Sequence, residues 1–177
     1  VRDYSVTDLY NGMGVEIKSG ASDAIVTCNH ITSSSADDDD IGIGGKCVRA
    51  NITNNVVRNA GGIAIKLTYG SEGTIISNNE LSGYGDGGIL LNGGGGGLAC
   101  TNISVLGNTL SSTTAYQELA NEDIAASGLK DSSISNNHIT SRHTHIEVSS
   151  AAATSENIVV SGNILVNNHT EEDEYGH

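Results

Sequence analysis

The sequence predicts an all-β fold, a parallel β-solenoid of about six coils, from three observations. A short phrase with the pattern apolar-x-x-Asn-x-apolar occurs six times, and a second strand phrase alternates with it without a miss. The composition is rich in glycine (23 residues) and lacks proline, tryptophan and phenylalanine. Isoleucine, valine and threonine are abundant, and these β-branched residues favour strands over a helical bundle. Units that repeat at this length bury their apolar faces by stacking.

The asparagine phrase predicts a sharp bend in every coil. Its two apolar positions are five residues apart, as in VTCNHI and ISNNEL, so a straight strand would turn them to opposite faces. Asparagine tolerates the left-handed backbone that such a bend needs. We therefore expect a corner at each asparagine and a ladder of stacked side-chain amides inside the solenoid. The six predicted ladder residues are Asn29, Asn55, Asn79, Asn108, Asn137 and Asn163.

The second phrase, seen in GVEIK, GIAIK and GILLN, predicts the strand that follows each bend. We expect its first apolar residue to point inward, which selects Val15, Ile41, Ile63, Ile89, Ile124 and Ile146. The following residues are then outward: Glu16, Gly42, Ala64, Leu90, Ala125 and Glu147. Because Gly42 and Ala64 are small, we predict a shallow trough over the middle coils, and a concave strip of this kind is the default binding site.

Length and charge limit the organisation and the partners. The 177 residues suit one domain, residues 1–177, with coils over roughly 10–168 and an acidic tail at 169–177. A formal charge of −13 has the wrong sign for nucleic acid, so no nucleic-acid partner is expected. No apolar run approaches the length of a membrane span, so no membrane partner is expected either.

The three cysteines, Cys28, Cys47 and Cys100, show no CxxC spacing and have an odd count. Neither a zinc site nor a disulfide framework is therefore indicated. We predict buried, unreactive thiols. One disulfide with a leftover thiol stays open as an alternative.

ISNNEL with GGILL, and ITNNVV with GGIAI, resemble the repeats of right-handed parallel β-helix proteins of the pectin-lyase-like superfamily. The resemblance implies a right-handed parallel β-helix, a secreted, extracellular or cell- or virion-surface location, and a polysaccharide held in the trough. It leaves two functions open, because one fold hosts many. One is a carbohydrate-active module of the glycoside hydrolase or polysaccharide lyase type. The other is a non-catalytic structural or adhesive module of a viral tail or cell-surface fibre.

The open ends of a solenoid expose sheet edges that need covering. We therefore expect a homo-oligomer, formed as a trimer or by end-to-end stacking.

Acidic residues cluster in the loops before the second phrase. Coil two carries four consecutive aspartates, Asp37 to Asp40, and later coils carry Asp86, Glu122 and Asp123. Neighbouring carboxylates repel each other, and a hard, oxygen-ligated cation relieves that repulsion. We therefore expect Asp37, Asp38 and Asp39 to bind Ca²⁺, with a solvated acidic loop as the alternative.

The segment ADDDDIGIG resembles the paired aspartates before a similar strand in polygalacturonase-type hydrolases. That resemblance implies Asp39 and Asp40 as the catalytic acid and base, with Asp86 as a partner two coils away, ~10 Å along the axis. A lyase would instead need a basic residue to remove a proton. Lys66, outward on coil three, is the candidate; the alternative is a surface lysine paired with nearby acids.

Further substrate-binding residues are predicted along the trough and in the last coil. Glu16, Lys18 and Asn92 lie on outward positions of the second phrase. In SRHTHIEV, strand parity predicts that His143, His145 and Glu147 share one side. Such a group could bind substrate or metal, or supply acid and base in an epimerase-like reaction. The alternative is a surface cluster without a role.

Overall fold

The computed structural model describes residues 1–2, 5–9, 13–17, 21–33, 41–112, 122–141, 144–150 and 153–167. These residues form a solenoid of three sheets in which every strand pairs in parallel with its equivalent in the next coil. Both the all-β class and the stack of about six coils are as the repeats predict. Short strands with one inward side chain in two cannot bury that face alone, so neighbouring coils cover each other.

Three sheets run along the solenoid axis. Sheet 1 contains β1 (Ser5–Leu9), β4 (His30–Ser33), β7 (Val56–Arg58), β10 (Glu80–Ser82), β14 (Thr109–Ser111), β17 (His138–Ser141) and β20 (Ile164–Asn167). Sheet 2 contains β2 (Met13–Ile17), β5 (Ile41–Gly45), β8 (Ile63–Thr68), β11 (Gly87–Asn92), β15 (Glu122–Ser127) and β18 (Thr144–Ser149). Sheet 3 contains β3 (Ile25–Thr27), β6 (Asn51–Thr53), β9 (Ile75–Ser77), β12 (Cys100–Thr101), β13 (Ser104–Leu106), β16 (Leu129–Ser135) and β19 (Glu156–Ser161).

Helical structure within the described ranges is confined to a 3₁₀ turn at Gly95–Gly97. Among those same residues, no helix has both the length and the apolar character needed to cross a membrane.

The asparagine ladder is present and buried, as predicted. Asn79 and Asn108 are 2% and 0% exposed. The Asn79 side-chain amide donates to Asn108 Oδ1 (2.9 Å), and the Asn79 backbone N–H donates to the same oxygen (3.0 Å). The same pair of bonds joins each rung to the next, from Asn29 through Asn55, Asn79, Asn108 and Asn137 to Asn163.

The left-handed backbone of each corner belongs to the residue before the ladder asparagine. This residue ends the sheet 3 side of the bend, and its φ is 54° in Asn78 and 65° in Gly107. Two functions are therefore divided between neighbours: one residue turns the chain, and the next carries the buried amide. The turning residues are Cys28, Asn54, Asn78, Gly107, Asn136 and Gly162.

The register of sheet 2 differs from the predicted one. Val15 pairs with Ile43, and Ile43 pairs with Ile65, so the pairing in coils two and three is shifted by two residues from the predicted one. Ile63 is buried, as predicted. The prediction that Gly42 and Ala64 line an outward trough is wrong. Ala64 is 1% exposed, and a Cβ on Gly42 would lie 2.5 Å from Cγ1 of the core residue Val57.

The cysteines are all free thiols. Cys47 and Cys100 are buried, as predicted, and burial raises their pKa values, to about 12 and about 11. Cys28 is exposed, because it occupies a turning position of the corner, and its predicted burial is wrong.

Candidate functional site

The outer face of sheet 2 presents two rows of side chains along the solenoid. The register aligns the first row as Glu16, Gly44, Lys66, Leu90, Ala125 and Glu147. The second row, two residues further along the strands, contains Thr68, Asn92, Ser127 and Ser149. The face is therefore polar, with small side chains at several positions. We call it the sheet 2 face.

The predicted trough residues that the structure describes lie on this face. Glu16, Asn92 and Glu147 are exposed, and Lys66 is half-buried between Gly44 and Leu90. Asp86 precedes β11, four residues before Leu90, so it lies about 13 Å along the strand from the level of Lys66. The predicted residues Asp37, Asp38, Asp39, Asp40, Lys18 and His143 lie outside the described residues.

His145 does not share a face with Glu147. Its side chain is only 13% exposed, and Nδ1 lies 3.0 Å from Oδ2 of Asp123, which is 2% exposed. The other oxygen of Asp123 accepts a hydrogen bond from the hydroxyl of Tyr84, a residue of the core. Parity fails here because two consecutive residues pack inward: Ile146 packs against the core, and His145 contacts the buried Asp123. The three side chains form a buried Tyr84–Asp123–His145 cluster.

This cluster interrupts an otherwise uniform column. The positions that pair with Asp123 and His145 in the preceding coils face the core and hold residues with little or no side chain. A Cβ on Gly88 would lie 2.5 Å from Leu110 Cδ2 and 3.2 Å from Tyr84 Cε1. The small-residue column consists of Gly14, Gly42, Ala64 and Gly88, and it ends in Asp123 and His145.

Burial and the neighbouring Asp123 carboxyl keep the Tyr84 hydroxyl protonated. Burial raises the pKa of the Tyr84 hydroxyl, and the adjacent Asp123 carboxylate raises it further. Tyr84 therefore remains a hydrogen-bond donor throughout the physiological range. Each oxygen of the buried Asp123 carboxyl therefore has a hydrogen-bond partner, as buried polar groups require.

Two acidic residues, Glu122 and Glu147, lie outside this buried cluster and contact each other. Partial burial raises the pKa of the Glu122 carboxyl, and Glu147 raises it further because the two side chains hydrogen-bond. Glu122 therefore holds its proton to a higher pH than an isolated glutamate does. The arrangement can donate a proton to a group that approaches the sheet 2 face.

An aromatic rim borders the sheet 2 face where β8 ends. Tyr69 is 48% exposed, and Leu98 nearby is 50% exposed. Gly95 packs against the Tyr69 ring, since a Cβ there would lie 2.2 Å from Cδ1. The lysine Lys46 and Leu98 both approach Gly70. We call Lys46, Tyr69 and Leu98 the rim.

Sequence reasoning named neither Tyr69 nor Tyr84 as a site residue. It placed Glu122 and Asp123 on the acidic edge without a role. Aligning EDIAAS with GGILLN would have exposed Asp123 as an aspartate in a column of glycine and alanine. No comparable signal marks Tyr84, because it lies outside both repeated phrases and its partner Asp123 is 39 residues along the chain.

Metal ligands do not converge in the described part of the chain. No three histidine, cysteine, aspartate or glutamate side chains there come together as a group that could hold a metal ion. The predicted aspartate ligands of coil two fall outside that part of the chain.

Comparison with known proteins supports the architecture. A family model described as "right handed beta helix region" matches residues 39–176. Neither the comparison with curated proteins nor the comparison with solved structures found a match. The match covers most of the 177 residues and gives the hand of the solenoid that the parallel sheets describe. The chain belongs to the right-handed β-helix family, within the pectin-lyase-like superfamily that its repeats resemble.

Proposed function

We propose that this protein is a secreted or surface-exposed module that binds a polysaccharide along the sheet 2 face. The observation that carries the proposal is the exposed Tyr69 ring at the rim, beside a row of polar side chains. Aromatic rings offer a flat apolar surface to the apolar faces of sugars, while Asn92 and Thr68 offer hydrogen bonds to their hydroxyls. Rows that repeat coil by coil suit a polymer better than a compact ligand.

Binding is tested by titrating a panel of uronate and neutral polysaccharides into the protein, with heat as the readout. Tyr69→Ala should weaken binding about tenfold or more, and Asn92→Ala by a smaller factor. Thr109→Ala, exposed on the outer face of sheet 1, is the matched control and should bind like the parent. Equal binding by parent and Tyr69→Ala would contradict the rim assignment. No binding across the panel would favour the alternative, a structural or adhesive fibre module.

We propose a second, catalytic function on the strength of the Glu122–Glu147 pair. A carboxyl that keeps its proton beside a bound polymer can protonate a glycosidic oxygen, as the general acid of a hydrolase does. Glu122→Gln and Glu147→Gln should then each lower the release of reducing ends by orders of magnitude. Unsaturated product seen by ultraviolet absorbance would instead indicate a lyase and shift attention to Lys66→Ala.

The predicted catalytic aspartates are tested in the same assay. Asp39→Asn, Asp40→Asn and Asp86→Asn are compared with the glutamate variants on the same substrate. Loss of activity in the aspartate variants, with the glutamate variants unaffected, would move the catalytic centre to coils two to four. The reverse result supports the pair at the later coils.

We also propose that Asp37, Asp38 and Asp39 bind Ca²⁺, because a run of carboxylates supplies the hard oxygen ligands that this ion prefers. Binding to the folded state alone raises the melting temperature. Millimolar Ca²⁺ should therefore raise the melting temperature of the parent and leave that of a triple Asp→Asn variant unchanged. If Ca²⁺ does not change the melting temperature of the parent, the alternative of a solvated acidic loop is supported.

A further inference from the structure

The central part of the outer face of sheet 3 carries no charged side chain in the six coils. Three adjacent rows lie there: two rows of outward strand positions and the row of turning residues at the corner. The first strand row is Ile25, Asn51, Ile75, Ser104, Ser133 and Val159. The second strand row is Thr27, Thr53, Ser77, Leu106, Ser135 and Ser161. Neither these residues nor the turning residues include a charged side chain, in a chain of net charge −13.

The outward strand positions of sheets 1 and 2, in contrast, include charged side chains. The outward residues of sheet 1 include Arg58 and Glu80, which form an exposed ion pair. The sheet 2 face includes Glu16, Lys66 and Glu147. Charged side chains lie on the flank opposite the turning residues, where Asp23 pairs with Arg49. On that flank the strands of sheet 3 also carry Asp131 and the ion pair of Lys130 with Glu156. Arg2 lies beside Thr27 beyond the first coil. Two highly acidic copies can approach through the three uncharged rows without placing a carboxylate at the centre of the contact.

Large apolar side chains are exposed on this face. Ile25 is 58%, Ile75 41%, Leu106 38% and Val159 56% exposed. Surface strands normally place polar side chains outward, so four exposed large apolar residues on one flat face point to a partner.

The order of these residues along the axis is palindromic. When the two strand rows are taken together, the first, third, fourth and sixth coils each carry one large apolar residue, and the second and fifth coils carry none. The apolar residue of the fourth coil, Leu106, lies in the second row, and the other three lie in the first row. A two-fold axis that lies in the interface, parallel to the strands and level with the gap between the third and fourth coils, therefore places Ile25 of one copy over Val159 of the other. It also brings Ile75 near Leu106 of the other copy at the centre and Asn51 near Ser133. An isologous interface requires this kind of self-complementary pattern.

We infer that two copies of the chain associate through the outer faces of sheet 3, with their solenoid axes antiparallel. Sheet-on-sheet packing with roughly aligned strands matches two flat faces of this kind. The face spans five coil steps of ~4.8 Å, or about 24 Å, which is short for a standard interface. The dimer is therefore weak and depends on concentration. The inference uses neither the sheet 2 face nor its proposed ligand.

Sedimentation equilibrium over a range of concentrations tests the association. The parent chain should show a monomer–dimer equilibrium, and Ile75→Lys should raise the dissociation constant at least about tenfold, because two lysines would meet at the centre of the interface. Thr109→Lys, an equally exposed position on sheet 1, is the matched control and should dimerise like the parent. Circular dichroism melts confirm that each variant is folded. A monomeric parent at millimolar concentration, or a dimer unchanged by Ile75→Lys, would overturn the inference.

Disulfide trapping tests the antiparallel arrangement separately. In a Cys28→Ser background, Ile25→Cys and Val159→Cys are prepared as single variants and oxidised with copper phenanthroline, alone and mixed. The antiparallel dimer predicts a cross-linked dimer only in the mixture. Cross-linking of Ile25→Cys with itself would show a parallel dimer and contradict the inference. The remaining native thiols, Cys47 and Cys100, are buried and do not interfere.

Discussion

The asparagine ladder and the small-residue column run side by side through the same coils, yet they differ in how strictly they repeat. The ladder has an asparagine at every rung from Asn29 to Asn163, because each amide both donates and accepts along the axis. The column needs only a small side chain in its first four coils, and then it holds Asp123 and His145. The strictly repeated asparagines stabilise the stack of coils. The column departs from small residues only at Asp123 and His145, where ionisable side chains enter the interior.

The largest effect is expected from breaking the ladder. Asn79→Leu removes the acceptor of two Asn55 donors and the donor to Ile52 O and Asn108 Oδ1. Four buried hydrogen bonds are lost, and we expect the free energy of unfolding to fall by about 4 kcal/mol. Urea denaturation measures the change.

The matched control for the ladder is the neighbouring residue. Asn78 is exposed and has φ 54°, a conformation that glycine adopts freely, so Asn78→Gly should change the unfolding free energy by less than about 0.5 kcal/mol. Similar losses in both variants would mean that the corner, and not the amide stack, provides the stability.

The ladder was also the part of the molecule most accessible from sequence. Its phrase repeats with one invariant asparagine, and hydrogen bonding explains why no other side chain replaces it. The register of sheet 2 was less accessible from sequence. Ile41 and Ile43 are two residues apart and share one strand parity, so either one fits the inward position of coil two equally well. The pairing of Val15 with Ile43, and of Ile43 with Ile65, decides between them. Tyr69 and Tyr84 lie outside both phrases, so repetition gives no information about them.

The next effect is expected in the small-residue column. Gly88→Ala places a Cβ 2.5 Å from Leu110 Cδ2 and 2.7 Å from the backbone oxygen of Asp123. Because the backbone oxygen belongs to the next coil, relief requires a shift of the stack, and we expect a loss of about 3 kcal/mol. Gly87→Ala is the control: its Cβ would meet only Glu122 O at 3.3 Å, and its loss should be much smaller. Equal losses would show that space at Gly88 is not limiting.

A smaller effect is expected from the cluster that ends the column. Tyr84→Phe removes the hydroxyl that donates to Asp123 and leaves one oxygen of a buried carboxylate without that donor. We expect a loss of about 2 kcal/mol at neutral pH. Tyr69→Phe, at the exposed rim, should leave the unfolding free energy unchanged. Equal stability of Tyr84→Phe and the parent would mean that Asp123 does not depend on the hydroxyl.

The smallest effect concerns the pH dependence of that same contact. Burial first, and the Asp123 charge second, raise the pKa of Tyr84 above its ordinary value of 10.0. A raised pKa in the folded state gives stability that is complete below pH 10 and is lost as the pH rises, because the unfolded tyrosine releases its proton first. The difference in unfolding free energy between the parent and Tyr84→Phe should therefore shrink by about 1 kcal/mol between pH 8 and pH 10.5. The buried thiols titrate alike in both proteins and cancel in the difference. A difference that stays constant over this range would show that the Tyr84 hydroxyl is accessible to water, and the column would then end in an open site.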